Sequence, residues 1–165
     1  MACGKIKLEL EPVSVQALFN DLAFMFEDRL KEKSLKLSLN INSPTEDLSV
    51  LADQNSLLNE VFANLVSNGI KFSHQEGILT LNGRAEGGKV IISVKDMGVG
   101  MSPHLAEKIL DPSVATTRLG TANEKGTGFG LPTVKMFVEQ YQGEIHVTST
   151  LGEGCTFDVI LRQAT

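Results

Sequence analysis

The chain has 165 residues, 42% of them hydrophobic and 21% charged, with a formal net charge of −5. This composition excludes a disordered chain, and the length suits a single domain with a sizeable core. The acidic excess excludes a general nucleic-acid surface, and no apolar run approaches the roughly 20 residues that cross a bilayer.

The longest apolar stretch, 17–26, is interrupted by Asn20 and Asp21. No basic-then-apolar leader opens the chain. The sequence therefore reads as cytoplasmic, or as the cytoplasmic part of a larger protein, with no direct membrane contact. Cys3 and Cys155 read as reduced thiols, and His74, His104 and His146 lack the spacing of a zinc site.

Alternation of Ile6, Leu8 and Leu10 predicts a lead-in strand over 5–12, ended by Pro12. Ser14 is placed to cap a helix reaching Lys33, whose apolar residues Val15, Leu18, Phe19, Leu22 and Phe26 recur every three or four positions. Leu35, Leu37, Leu39 and Ile41 predict a strand, Asn42-Ser43-Pro44 a turn, and 48–52 another strand. A helix follows from Asn55 to Phe72. Strands 78–84 and 89–96 form a hairpin through Glu86-Gly87-Gly88. Residues 101–125 are weakly periodic and read as a lid. A helix over 127–141 and strands 144–150 and 156–161 complete the chain. The pattern predicts an α+β two-layer sandwich: a mixed, mostly antiparallel sheet with about three helices on one face, in a single domain.

The helix 55–72 is the most informative segment. At about 100° per residue, Glu60, Asn64, Asn68 and Lys71 share an arc of about 80°. Leu58, Val61, Phe62, Leu65 and Val66 occupy the other side. The polar arc is either a solvated face or a site in which amide oxygens ligate Mg²⁺ and an ammonium meets phosphate. Asp96-Met97-Gly98-Val99-Gly100 follows a strand; its aspartate can accept from an exocyclic amine, and its glycines permit close backbone approach. Gly126-Thr127-Gly128-Phe129-Gly130-Leu131 opens a helix, where successive N–H groups favour an anion. It is not a Walker loop, since no Gly-Lys-Ser/Thr ending follows.

In this order the motifs resemble the catalytic, ATP-binding domain of sensor histidine kinases. These belong to the superfamily that includes DNA gyrase, the MutL repair protein and the heat-shock chaperone ATPase. The resemblance spans 6–161. It implies that 64–72 is the N box, with Asn64 on Mg²⁺, Asn68 and Lys71 facing phosphates, and Phe72 near the sugar or base. Glu60 matches the acid that orients the attacking group. Asp96, Gly98 and Gly100 match the G1 box, with Asp96 on adenine N6. Gly126, Thr127, Gly128, Gly130 and Leu131 match the G2 box, and Thr156 in the last hairpin would lie near adenine.

The lid's aromatic box is reduced to Ile109-Leu110-Asp111-Pro112-Ser113. Gly69 replaces a usual alanine, Tyr141 a common histidine, and Lys125 a frequent glycine. ATP and Mg²⁺ are the implied ligands. The implied partners are a histidine-bearing dimerisation hairpin, expected outside this chain, and a downstream response-regulator receiver domain. A serine kinase of the anti-sigma-factor type, a hydrolytic relative, and a degenerate nucleotide-binding relay module remain alternatives.

Overall fold

The computed structural model describes residues 8–42, 48–111 and 130–164. The chain opens with β1 (Glu11–Ser14), α1 (Val15–Met25), α2 (Glu27–Glu32), β2 (Lys36–Asn42) and β3 (Ser49–Ala52). A composite helix follows: α3 (Gln54–Ser56), a π-helical segment (Leu57–Phe62) and α4 (Ala63–Phe72). Then come β4 (Ile78–Glu86), β5 (Lys89–Asp96), α5 (Pro103–Lys108), α6 (Gly130–Gln140), β6 (Glu144–Thr150) and β7 (Gly154–Arg162).

The main sheet has the order β2-β4-β5-β7-β6, and β1 pairs with β3 in a separate ribbon. Only β2 and β4 run parallel; the other neighbours in the main sheet are antiparallel. This is the expected mixed sheet. Leu79 and Leu81 of β4, Val90, Ile92 and Val94 of β5, and Phe157, Val159 and Leu161 of β7 alternate onto one buried face. Leu18, Phe19 and Leu22 of α1, Leu65, Val66 and Ile70 of α4, and Val134 and Val138 of α6 cover that face. Among the described residues no helix is long and apolar enough to cross a membrane.

Several expectations shift. Pro12 lies inside a strand, opposite Leu51 in the β1–β3 ribbon, and does not end one. β1 pairs with β3 alone among the described strands, and proline is tolerated in such an edge strand, where a missing N–H need not disrupt a ladder bond. Residues 8–10 of the expected lead-in strand are not in a strand, and 5–7 lie outside the described residues, as do Ser43 and Pro44 of the expected turn.

Ser14 does cap α1, its Oγ accepting from the Ala17 amide at 3.2 Å. The single helix expected up to Lys33 is two helices, because Phe26 leaves helical geometry with φ −105° and ψ 9°. That break turns α2 back over the core, where Phe26 and Leu30 are buried. The β4–β5 turn is the expected one: Gly87 and Gly88 have φ of 58° and 81° between paired Glu86 and Lys89, the conformation that tight hairpins favour. The start of the expected lid is ordered structure. Ser102 caps α5 through a 3.2 Å bond from the Leu105 amide, and flanking Met101 and Ile109 are buried.

Candidate functional site

The polar side of the composite helix is not wound uniformly. Asp53 caps its start, its Oδ2 accepting from the Ser56 amide at 2.9 Å. Across Leu57–Phe62 the hydrogen-bonding ring widens by one residue, and the Ala63 amide reaches back to the Leu58 carbonyl. Glu60 therefore lies out of the phase that a regular α-helix gives it, and Leu57 rather than Leu58 is fully buried. Turns of this kind recur at functional sites because they re-aim side chains.

Glu60 is exposed, whereas Asn64, Asn68 and Lys71 are half-buried along α4. The Asn64 side-chain nitrogen donates to the Glu60 carbonyl at 2.6 Å. The amide oxygen is thus the atom left for a hard cation. The Lys71 ammonium lies 5.0 Å from the centre of the Phe72 ring. The C-terminal end of α4 is held by a residue that the sequence reading did not single out. Lys33, buried at the end of α2, donates to the Ile70 carbonyl at 2.8 Å and to the Lys71 carbonyl at 3.0 Å. These are two of the acceptors that any helix C-terminus leaves unmatched.

Asp96 ends β5 on the helix side of the sheet and is 4% exposed. Its Oδ1 accepts from the Gly98 amide at 2.9 Å. The following loop is hooked onto α4, since the Val99 amide donates to the Phe72 carbonyl at 3.1 Å. Gly98 and Gly100 are demanded by the protein's own backbone. A Cβ on Gly98 would overlap the Phe72 carbonyl, and one on Gly100, which has φ 67°, would overlap that of Thr150. On the other side the Gly152 amide donates to the Val99 carbonyl at 2.7 Å. The loop is pinned between the amide-bearing helix and the β6–β7 turn.

Residues 126–129 lie outside the described residues, so Gly126, Thr127 and Gly128 have no described position. Gly130 is the first residue of α6. Leu131, beside it, is buried in the core at 8% exposure. Thr156 departs from expectation. It pairs with Lys95, whereas its neighbour Cys155 pairs with Asp96. Strand alternation puts Thr156 on the face away from the helices and buried Cys155 beside Asp96. Counting in twos from the Phe157 core position would have found Cys155.

A model of the family described as histidine kinase-, DNA gyrase B- and HSP90-like ATPase matches residues 53–165. The chain belongs to this family, and its fold is that of a histidine kinase catalytic domain, an ATP-binding unit. It is 32% identical over 157 residues to the sensor histidine kinase AtsR of Burkholderia thailandensis, covering 93% of this chain and 26% of that protein. The catalytic domain of histidine kinase ThkA superposes with a TM-score of 0.80 at 25% identity, covering 94% of this chain and 97% of that one. ThkA has also been solved in complex with the response regulator protein TrrA. Full-length ShkA, solved in complex with AMPPNP, matches with a TM-score of 0.79 at 29% identity over 97% of this chain and 32% of its own. The chain spans about a quarter of the length of the curated relatives it matches.

Proposed function

We propose that this chain is the catalytic domain of a two-component sensor histidine kinase, which transfers the γ-phosphate of Mg-ATP to a histidine on a helical hairpin. The observation that carries this reading is the hook between Val99 and Phe72, which joins the Asp96 loop to the end of the amide helix. Through it the loop that follows the buried Asp96 is tied to the end of the helix that carries Asn64, Asn68 and Lys71.

Asp96 is an acceptor suited to adenine N6, with one oxygen committed to Gly98 and so fixed in direction. Gly98 and Gly100 hold the loop under the base, and Cys155 lines the position beside Asp96. Asn64, through its amide oxygen, would hold magnesium, which when bound offsets phosphate charge. Asn68 and Lys71 face the phosphates, with Phe72 towards the sugar or base. Gly126, Thr127, Gly128 and Gly130 would supply N–H groups to the phosphates. Glu60 orients the acceptor nitrogen or takes its proton. Positioning and charge stabilisation dominate such a transfer. A response-regulator receiver domain takes the phosphoryl group afterwards, the kind of partner with which ThkA was solved.

Calorimetry of Mg-ATP binding tests the site. Asp96→Asn and Asn64→Ala should each weaken affinity by at least tenfold, and undiminished binding in both variants removes the proposal. Labelled ATP with a histidine-bearing hairpin should yield acid-labile phosphate. Acid-stable label on a small protein partner would point to serine transfer instead. The absence of any thermal shift with Mg-ATP would leave a relay module.

A further inference from the structure

Tyr141 follows the last turn of α6 and is wholly buried. Its hydroxyl is hydrogen-bonded to Ser56 Oγ, on the residue just before the π-helical segment. Ser56 Oγ in turn donates to Asp53 Oδ2 at 2.6 Å, and Ser56 is itself 7% exposed. The direction of this chain is fixed. Burial pushes the Tyr141 hydroxyl up to about 12, so it stays protonated and donates. Ser56 Oγ has a single proton and donates it in the bond to Asp53 Oδ2, so towards Tyr141 it accepts. Each bond thus has one direction, and the bonds in such a buried chain strengthen one another.

The chain connects two elements that matter to the site. Its upstream end is the cap of the helix bearing Glu60 and Asn64. Its downstream end is the far terminus of α6, the helix that begins at Gly130. At 1.5 Å per residue the 11 residues of α6 span about 16 Å. Sliding α6 along the π-helical segment would change the separation between Gly130, its first residue, and Glu60. In the described contacts α6 packs directly on that segment, and the Tyr141–Ser56 bond sets the register of that packing. Apolar packing alone is non-directional and permits small slides; a buried hydrogen bond does not.

We propose that Tyr141, acting through Ser56 and Asp53, is a positioning residue for phosphoryl transfer. It clamps α6 to the widened turn and so holds Glu60 in its place relative to the phosphate-binding start of α6. The role assigned to Glu60 rests on the kinase reading above; the clamp itself does not. The Tyr141 hydroxyl is bonded to Ser56 and to none of the residues assigned to the nucleotide in the described hydrogen bonds, so its loss should affect transfer and leave nucleotide affinity in place.

Hydrogen exchange on the full chain tests the clamp directly. Tyr141→Phe keeps the ring and removes only the hydroxyl; Ser56→Ala removes its partner, and Ser56→Thr restores a hydroxyl. Amides of residues 57–63 should exchange about fivefold to tenfold faster in Tyr141→Phe and Ser56→Ala, the loss expected for one neutral hydrogen bond. Amides of β4 and β5 should be unchanged, and Ser56→Thr should return towards wild type. Transfer of label to the histidine hairpin should fall by about tenfold, with the Mg-ATP dissociation constant within about twofold. Unchanged exchange over 57–63 overturns the clamp, as does an undiminished transfer rate in a variant whose exchange has risen. If the wild-type chain binds no Mg-ATP or labels no hairpin, the kinase reading falls, and exchange alone then decides the clamp.

Discussion

The Asp96–Gly100 loop and the polar side of α4 meet at Phe72, yet they are built under opposite constraints. In the loop the glycines answer to the protein itself. Gly98 lies against the Phe72 carbonyl and Gly100 against that of Thr150, while Gly154 at the start of β7, with φ 112°, lies against that of Asp96. On α4, Asn64 answers to nothing of the kind. Asn64 is bonded only within its own helix turn among the described hydrogen bonds, and asparagine is a middling helix former. The loop's glycines are thus explained by folding, and Asn64 is explained by no contact of that kind. Function is better read from residues that the fold does not require.

Substitution can break this contrast. The largest effect is expected at Gly98. An alanine there must displace backbone, with no flexible side chain to give way, and should cost about 3–5 kcal/mol in urea unfolding. Truncating Asn64 to alanine should change stability by less than about 0.5 kcal/mol while removing Mg-ATP affinity. Equal stability losses at the two sites would dissolve the distinction.

The next largest effect is expected at Lys33. Lys33→Met keeps the stem but leaves the Ile70 and Lys71 carbonyls without their ammonium donor. A loss of about 2 kcal/mol is expected, since hydrogen bonds from charged donors contribute more than neutral ones. The measurement is chemical denaturation. A variant as stable as wild type would show that the Phe72–Val99 hook and the Ser73 bonds to the Gly69 carbonyl hold the end of α4 without Lys33.

Much of this architecture is legible in the sequence, because strands with one buried face advertise themselves by alternation. β4, β5, β6 and β7 stand within a few residues of their expected bounds, and the Gly87-Gly88 turn follows from glycine's freedom at positive φ. The widened turn at Leu57–Phe62 was not legible. Its cause is tertiary, and periodicity read at 3.6 residues per turn cannot register one extra residue in a ring. Lys33 was hidden for a similar reason: a lysine beside Glu32 looks solvated until α4 is seen to end above it. Thr156 shows that the pleat decides which of two neighbours shares the helix side of the sheet with Asp96, and here that neighbour is Cys155.

Alkaline titration probes the clamp region from another side. Tyr141 is raised from 10.0 to about 12, chiefly by burial, with Asp53 and Glu60 adding negative potential and Ser56 opposing. Below about pH 10 both folded and unfolded chains keep the proton, and the stabilisation is fully present. Between about 10 and 12 only the unfolded chain releases it, so stability should fall by on the order of 2 kcal/mol across that window. Tyr141→Phe should lose this limb of the pH profile. A limb identical in the variant would assign it to other groups.

The smallest effect is expected at Gly69, and its sign is the informative part. A glycine inside a helix costs about 1 kcal/mol relative to alanine, so replacement should stabilise α4 if the surroundings are indifferent. They are not. A Cβ there would lie 2.6 Å from Leu79 Cδ1 and 3.6 Å from Cδ2, and Leu79 is fully buried in β4. The methyl can move only by displacing its own core neighbours, at a cost of about 1–3 kcal/mol. Gly69→Ala should therefore come out about 1 kcal/mol less stable than wild type. With Leu79→Val, which removes the obstructing methyl and suits a strand, the same substitution should become stabilising by about 1 kcal/mol. The difference is a coupling energy that a double-mutant cycle reads directly. Gly69 is then a packing residue, unlike its helix neighbours Asn64 and Asn68, and the buried side of α4 obeys the same rule as the Asp96 loop. A stabilising Gly69→Ala in the wild-type background would place Gly69 among residues that folding does not demand and reopen the question of why a glycine stands there.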